Sequence, residues 1–248
     1  MAADKGNVNA MNNYAFALDH GLGVEVNKEE AIKYYKMAIE KGDAMAMNNY
    51  AILLYTGSGV EQDTEQALRY FKISAEIGNI NSMIFLVFFL NDPFGIEQLK
   101  KTINRGNPEA TGIYARCLEK GTCVEINKEK AFIYYKKAID QGYKKPLYNY
   151  ASMLEQGEGT AVNIEEAVKY YKMAIEDNNS NAMNRYGEML EKGEVIPINK
   201  EEAIKYYKMA IDQGNDDSMF NYGKMIMNGE VTNVTIKEAV KYFKLAIE

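Results

Sequence analysis

The sequence predicts an all-α fold, a solenoid of about seven antiparallel two-helix repeats, and three observations carry that expectation. The stretch Asn-Lys-Glu-Glu-Ala-Ile-Lys-Tyr-Tyr-Lys-Met-Ala-Ile stands at 27–39 and again at 199–211, with near-copies at 63–75, 127–139, 163–175 and 235–247. Repeat starts fall at Gly6, Gly42, Gly78, Gly106, Gly142, Asn178 and Gly214, every 36 residues except for a step of 28 from Gly78 to Gly106. Apolar residues recur at the spacing of a helix face. A segment copied this often marks an internal repeat. One helical hairpin cannot bury its apolar stripes alone, whereas stacked hairpins bury each other's.

In order along the chain, one array over 1–248 is expected, with repeats at 6–41, 42–77, 78–105, 106–141, 142–177, 178–213 and 214–248. Residues 1–6 resemble 37–42, the tail of a second helix, and Ile247-Glu248 stops inside another. The chain therefore reads as a segment of a longer array, or as one whose ends pack on something, end-to-end self-association included. Each repeat opens with a helix A. In the second it runs from about Ala44 to Tyr55, with Ala46, Met47, Tyr50, Ala51 and Leu54 on one face. Gly57 should stop it in the left-handed conformation, as should Gly21, Gly121, Gly157, Gly193 and Gly229. After a short turn, helix B begins at a capping side chain: Asn27, Asp63, Asn127, Asn163, Asn199 or Thr235. Glu30, Gln66, Glu166, Glu202 or Glu238 three residues on completes a capping-box pattern, with Lys130 the exception. Within helix B, Ala31, Tyr34, Tyr35, Ala38 and Ile39 form an apolar stripe, while Lys33, Lys36 and Glu40 face water.

The third repeat has lost eight residues. Its helix A reads Ser-Met-Ile-Phe-Leu-Val-Phe-Phe-Leu from Ser82, and Asn91-Asp92-Pro93-Phe94 replaces its turn and cap, with Pro93 expected to end the helix before it.

Composition narrows the function. The net charge of −6 argues against a nucleic-acid platform, which needs a basic footprint. The longest apolar run, Met83 to Leu90, is too short to cross a bilayer, so membrane insertion is not expected. Cys117 and Cys123 show neither metal-ligand spacing nor a disulfide framework. Reduced thiols and the lack of a basic-then-apolar leader predict a cytoplasmic location, with the lumen of the secretory pathway as the alternative. Asn178-Asn179-Ser180 and Asn233-Val234-Thr235 match the glycosylation acceptor pattern, as chance allows in so Asn-rich a chain.

The period of 36, the turn Gly57, Gly59, Val60 and the Glu-Ala-x-x-Tyr-Tyr-x-x-Ala of helix B resemble the Sel-one-like repeat family, a branch of the tetratricopeptide-like solenoids, over about Gly6 to Glu248. The family usually has leucine and glycine where this chain has Tyr50-Ala51, an aromatic at Leu54, and often Trp-Tyr at Tyr34-Tyr35. The resemblance implies a right-handed superhelix whose helix A lines the concave face, and adaptors that assemble complexes in secretory-pathway quality control and in signalling. Some bacterial relatives carry a disulfide in each repeat, and this chain lacks that cysteine pattern.

Candidate binding residues lie on that inner face. Seven residues past each repeat start stand Asn13, Asn49, Phe85, Ile113, Asn149, Arg185 and Asn221. An amide can donate and accept at once, which suits recognition of a peptide backbone, although such asparagines can equally bond within the repeats. The run Met83 to Leu90 is read as core repacked around the deletion, the other reading being a hydrophobic patch in the groove. The Lys-Tyr-Tyr-Lys clusters at 33–36 and 205–208 are read as structural rather than as nucleic-acid stacking platforms. For catalysis the chain offers His20 at the end of a helix, where the dipole favours it, with no acidic, serine or cysteine partner placed by local spacing.

The expected function is a protein-interaction scaffold or adaptor holding a protein or peptide in the helix-A groove, without catalysis, cofactor or metal. The alternatives are a regulatory or targeting segment fused to a catalytic domain, or a groove hydrolase.

Overall fold

The computed structural model describes residues 7–193, 196–232 and 234–247. Among these the chain forms fourteen α-helices and no strand. The first helices of the seven repeats are α1 (Val8–His20), α3 (Ala44–Thr56), α5 (Ile80–Phe88), α7 (Pro108–Lys120), α9 (Leu147–Gln156), α11 (Ser180–Lys192) and α13 (Asp216–Met227). The second helices are α2 (Lys28–Glu40), α4 (Thr64–Ile77), α6 (Pro93–Asn104), α8 (Lys128–Asp140), α10 (Ile164–Glu176), α12 (Lys200–Ile211) and α14 (Ile236–Leu245). The expected helix tail at 1–6, the repeat start Gly6, Asn233 of the acceptor pattern and the final Glu248 lie outside the described residues.

The chain divides into two compact units, Met1–Ile126 with α1 to α7 and Asn127–Glu248 with α8 to α14. Within each, every helix packs on the next in sequence, and first helices also touch each other across a repeat, α1 on α3 in one unit and α11 on α13 in the other.

The caps show why these segments start where they do. Asn27, Asp63, Asn127, Asn163 and Asn199 each accept a bond from the backbone N–H three residues on. Among the described residues the full capping box forms only at Thr235, whose N–H donates to Glu238 at 3.0 Å. Elsewhere the cap's own N–H is already taken by the last turn of helix A: Asn27 donates to the Leu18 carbonyl at 2.9 Å, Asp63 to Leu54 at 3.0 Å, Asn163 to Leu154 at 2.8 Å and Asn199 to Leu190 at 2.9 Å. The glutamate three residues on then turns to the cap's amide side chain, at 3.0 Å for Asn163–Glu166 and for Asn199–Glu202. Helix A has caps as well, which the sequence reading passed over: Asn7, Asp43, Asn79, Asn107, Asn179 and Asn215.

The third repeat keeps this joint on a shorter chain. Its helix α5 has nine residues where α1 has thirteen. Asp92 supplies the cap, accepting from the Phe94 N–H at 2.9 Å, and its own N–H reaches the Leu86 carbonyl at 2.8 Å. Pro93 does not end the helix before it, because α5 has stopped at Phe88; it occupies the first turn of α6, where a missing N–H costs nothing. Gly95 lets α6 close on α5: a Cβ there would lie 2.7 Å from Val87 Cγ2 and 2.9 Å from the Met83 carbonyl oxygen.

The core holds alanine and one large ring from each typical helix B. Tyr35 and Phe71 in the first unit, and Tyr135, Tyr171 and Tyr207 in the second, are buried beside Ala31, Ala67, Ala131, Ala167 and Ala203. Tyr34 and Tyr70 instead meet a helix-A tyrosine edge to face, at 4.9 Å for Tyr14–Tyr34 and 5.6 Å for Tyr50–Tyr70. Tyr150–Tyr170, Tyr186–Tyr206 and Tyr222–Tyr242 repeat the arrangement in the second unit. The lysine of helix B sits over the helix-A ring of the next repeat, with Lys36 5.4 Å from Tyr50 and Lys208 5.3 Å from Tyr222. In the Lys-Tyr-Tyr-Lys clusters the first tyrosine thus packs within its own repeat and the last lysine reaches the next.

Candidate functional site

The predicted row does not act as a row of free amides. Asn13 is exposed and accepts weakly from Asn12 Nδ2 at 3.4 Å. Asn49 is half-buried, donates to Asn12 Oδ1 at 3.1 Å and accepts from Asn48 at 3.3 Å. Asn221 donates to both Asn184 Oδ1 and Glu188 Oε1 at 3.1 Å, which commits its two N–H groups and leaves its carbonyl as an acceptor. Asn149 is half-buried on α9, and Ile113 is buried in α7. Beside these positions stand asparagines that the sequence reading missed, Asn12 and Asn48 in the first unit and Asn184 in the second, all buried. Asn48 and Asn184 also accept from Ser82 and Ser218 of the following repeat, at 2.9 and 2.8 Å. The signal was there in the doublet Met-Asn-Asn-Tyr at 11–14 and 47–50, whose first asparagine recurs at 184.

Arg185 lies half-buried between two carboxylates. Its Nε is 3.0 Å from each Glu155 oxygen, and its terminal nitrogens bond to Glu155 and Glu188. Tyr171 donates to Glu155 at 2.8 Å, and Tyr207 makes the same bond to Glu191. Burial pushes the Glu155 carboxyl up, but the Arg185 guanidinium and the Tyr171 hydroxyl outweigh it and hold the acid below its ordinary range. Burial and the Glu155 carboxylate together push the Tyr171 hydroxyl well above the usual tyrosine value.

The run Met83 to Leu90 is divided. Met83, Leu86 and Val87 are fully buried. Phe85 is stacked between Phe71 at 4.2 Å and Phe89 at 4.9 Å, with Tyr55 edge-on at 5.3 Å. The Arg116 guanidinium covers Phe88 at 3.9 Å, and Phe89 is 69% exposed.

His20 does have an acidic neighbour, against expectation: Asp19 lies 3.4 Å from its Nδ1. That carboxylate is bonded to Lys28, and the ring stacks on Phe16 at 4.1 Å. Both thiols are free, and burial pushes Cys117 up to about 12 and raises Cys123 as well, so neither is an activated nucleophile. Among the described residues no group of three His, Cys, Asp or Glu side chains could hold a metal ion, and no helix is long and apolar enough to cross a membrane.

The Sel1 repeat model matches residues 8–43, 44–79, 108–143, 147–179, 180–215 and 216–248. The chain belongs to the Sel1 repeat family. The match skips the third repeat, where the deletion lies, although that repeat still forms a hairpin. Sel1 repeat proteins are generally protein-interaction scaffolds. Two solved structures are similar over 99% of this chain, both at 23% identity: a Sel1 repeat protein from Oxalobacter formigenes, 73% covered, with a TM-score of 0.75, and a protective antigen of uropathogenic Escherichia coli with an SLR fold, 55% covered, with a TM-score of 0.67. The chain thus spans little more than half the length of the Escherichia coli antigen. No curated protein matches the chain in sequence.

Proposed function

We propose that this Sel1 repeat chain is a scaffold that binds a protein or peptide segment on the exposed face of its first helices, through Asn13, Asn49, Phe85, Asn149, Arg185 and Asn221 and their neighbours. The observation that carries the reading is the held geometry of that face. Asn49, Arg185 and Asn221 are each fixed by bonds to an adjacent first helix, so a partner meets side chains that are already ordered and pays less to immobilise them. The second helices repeat their sequence and serve the packing, whereas the exposed first-helix positions differ between repeats, as a recognition surface needs.

The test uses the chain as bait, with crosslinking to partners from cell extract. The captured set should be lost from an Asn13→Ala, Asn49→Ala, Arg116→Ala variant and kept by Lys33→Ala, Ile73→Ser on the opposite helices. Loss only in the second variant, or no captured partner at all, overturns the reading.

A further inference from the structure

We propose that the first-helix face of the unit Met1–Ile126 takes an extended segment with apolar side chains at every third position and a carboxylate three residues beyond the last, received by Arg116. This rests on the first helices being the binding face, and names the chemistry of the occupant.

Ten residues past each repeat start, this unit places Phe16, Ile52, Phe88 and Arg116. The helices that carry them follow side by side, as the Asn49–Asn12 bond, the Tyr55–Phe85 ring contact and the Arg116–Phe88 contact show. Phe16 and Arg116 are exposed, and Ile52 and Phe88 are half-buried. Met45 and Phe89 widen the apolar surface, at 49% and 69% exposure. The corresponding positions of the other unit are Ser152, Glu188 and Lys224, so the apolar row is local. Exposed apolar patches of this kind mark interaction sites.

Phe89 reaches the surface because of the deletion. Eleven residues past the repeat start, Leu53 and Cys117 lie inside α3 and α7, each with three more helical residues after it, and are buried. The shortened α5 ends one residue earlier, at Phe88, so Phe89 becomes its capping residue and stands exposed. The stack Phe71–Phe85–Phe89 holds the ring still, and a rigid aromatic loses little freedom on binding.

Arg116 supplies the charge complementarity. Its guanidinium lies on the Phe88 ring, and among the described residues no carboxylate is in ion-pair range of it. A cation at the edge of an apolar row favours an anion there and selects against a second cation. Spacing gives the periodicity. Packed helix axes lie roughly 10 Å apart. An extended chain advances about 3.3 Å per residue, and a polyproline II segment repeats its face every three residues at about 3.1 Å each. A strand turns every third side chain to its opposite face, so the polyproline II form is the one in which every third side chain meets the next helix.

The probes are two matched dodecamer peptide sets with leucine or phenylalanine at three positions three apart, followed at the next such position by aspartate in one set and lysine in the other. Binding to the whole chain is read by fluorescence anisotropy. The aspartate set should bind about tenfold tighter, as expected for one charge-assisted contact. Arg116→Glu should reverse the preference, and Phe89→Ser should weaken both sets while far-ultraviolet dichroism and melting stay unchanged. Equal binding of both sets, or a preference unmoved by Arg116→Glu, overturns the proposal. If neither set binds while the bait capture still depends on the first helices, this assignment fails and the scaffold reading stands; if that capture fails too, both fall.

Discussion

Arg185 and Glu155, thirty residues apart in sequence, meet side-on, with Nε 3.0 Å from both carboxylate oxygens. The pair ties the first helices of two successive repeats, and Glu188 and Tyr171 fill the remaining positions around it. Removing one partner of a largely buried, hydrogen-bonded pair strands the other. Arg185→Ala should therefore cost about 1–3 kcal/mol in urea unfolding, the lower end reflecting residual exposure of the guanidinium. Glu155→Gln in the same chain should recover part of the loss.

The pair also sets an acid dependence. The Glu155 carboxyl is held below its unfolded value, so its contribution is present above the ordinary carboxylate range and disappears as pH falls through the depressed folded value. Melting followed from neutral to acidic pH should show a fall in that window, shallower in Arg185→Ala.

At alkaline pH the sign reverses. Tyr171 and Tyr207 are raised by burial and by the carboxylates they bond to, so their contribution is complete below the unfolded tyrosine value and is lost above about pH 10. Tyr171→Phe should flatten the alkaline loss of stability, measured as the melting temperature across that range.

The buried and exposed asparagines should separate sharply. Asn184 accepts from Ser218 and Asn221 and donates to Glu188, so Asn184→Ala leaves several groups unsatisfied and should cost about 2–3 kcal/mol. Asn13→Ala, at an exposed position, should stay within about 0.5 kcal/mol. Chemical denaturation of the two variants checks both.

Gly95→Ala should destabilise the third repeat by about 1–3 kcal/mol, because the added methyl meets the Met83 carbonyl and the Val87 side chain and the helices must part. Hydrogen exchange should place the loosened amides in α5 and α6.

The period, the hairpins and the caps of the second helices were legible because each is a local rule repeated: glycine where a positive φ ends a helix, Asn, Asp or Thr where one begins, alanine and tyrosine at helical spacing. The first-helix caps followed the same rule and were overlooked only because the repeat glycine before them drew the boundary. The capping box was misread for a physical reason. Its glutamates are present, but the backbone N–H they would take is already bonded to a leucine carbonyl of the preceding helix, and that competitor is nine residues away in sequence.

By itself, the sequence determined an all-α chain of two-helix repeats and the place where the repeat breaks. Periodicity and helix ends depend on near neighbours, so one strand of letters contains them. The tertiary structure alone decided which polar residues of the candidate site are committed. Asn12 and Asn13 are neighbours with the same side chain, yet one is buried to receive Asn49 from the next repeat and the other faces water. It alone decided, too, that Arg185 is neutralised while Arg116 is not, and that Phe89, at a position where Leu53 and Cys117 are buried, stands outside. Each of these depends on what the stacked neighbour brings alongside, about one repeat away in sequence and within hydrogen-bond or ring-contact range in space.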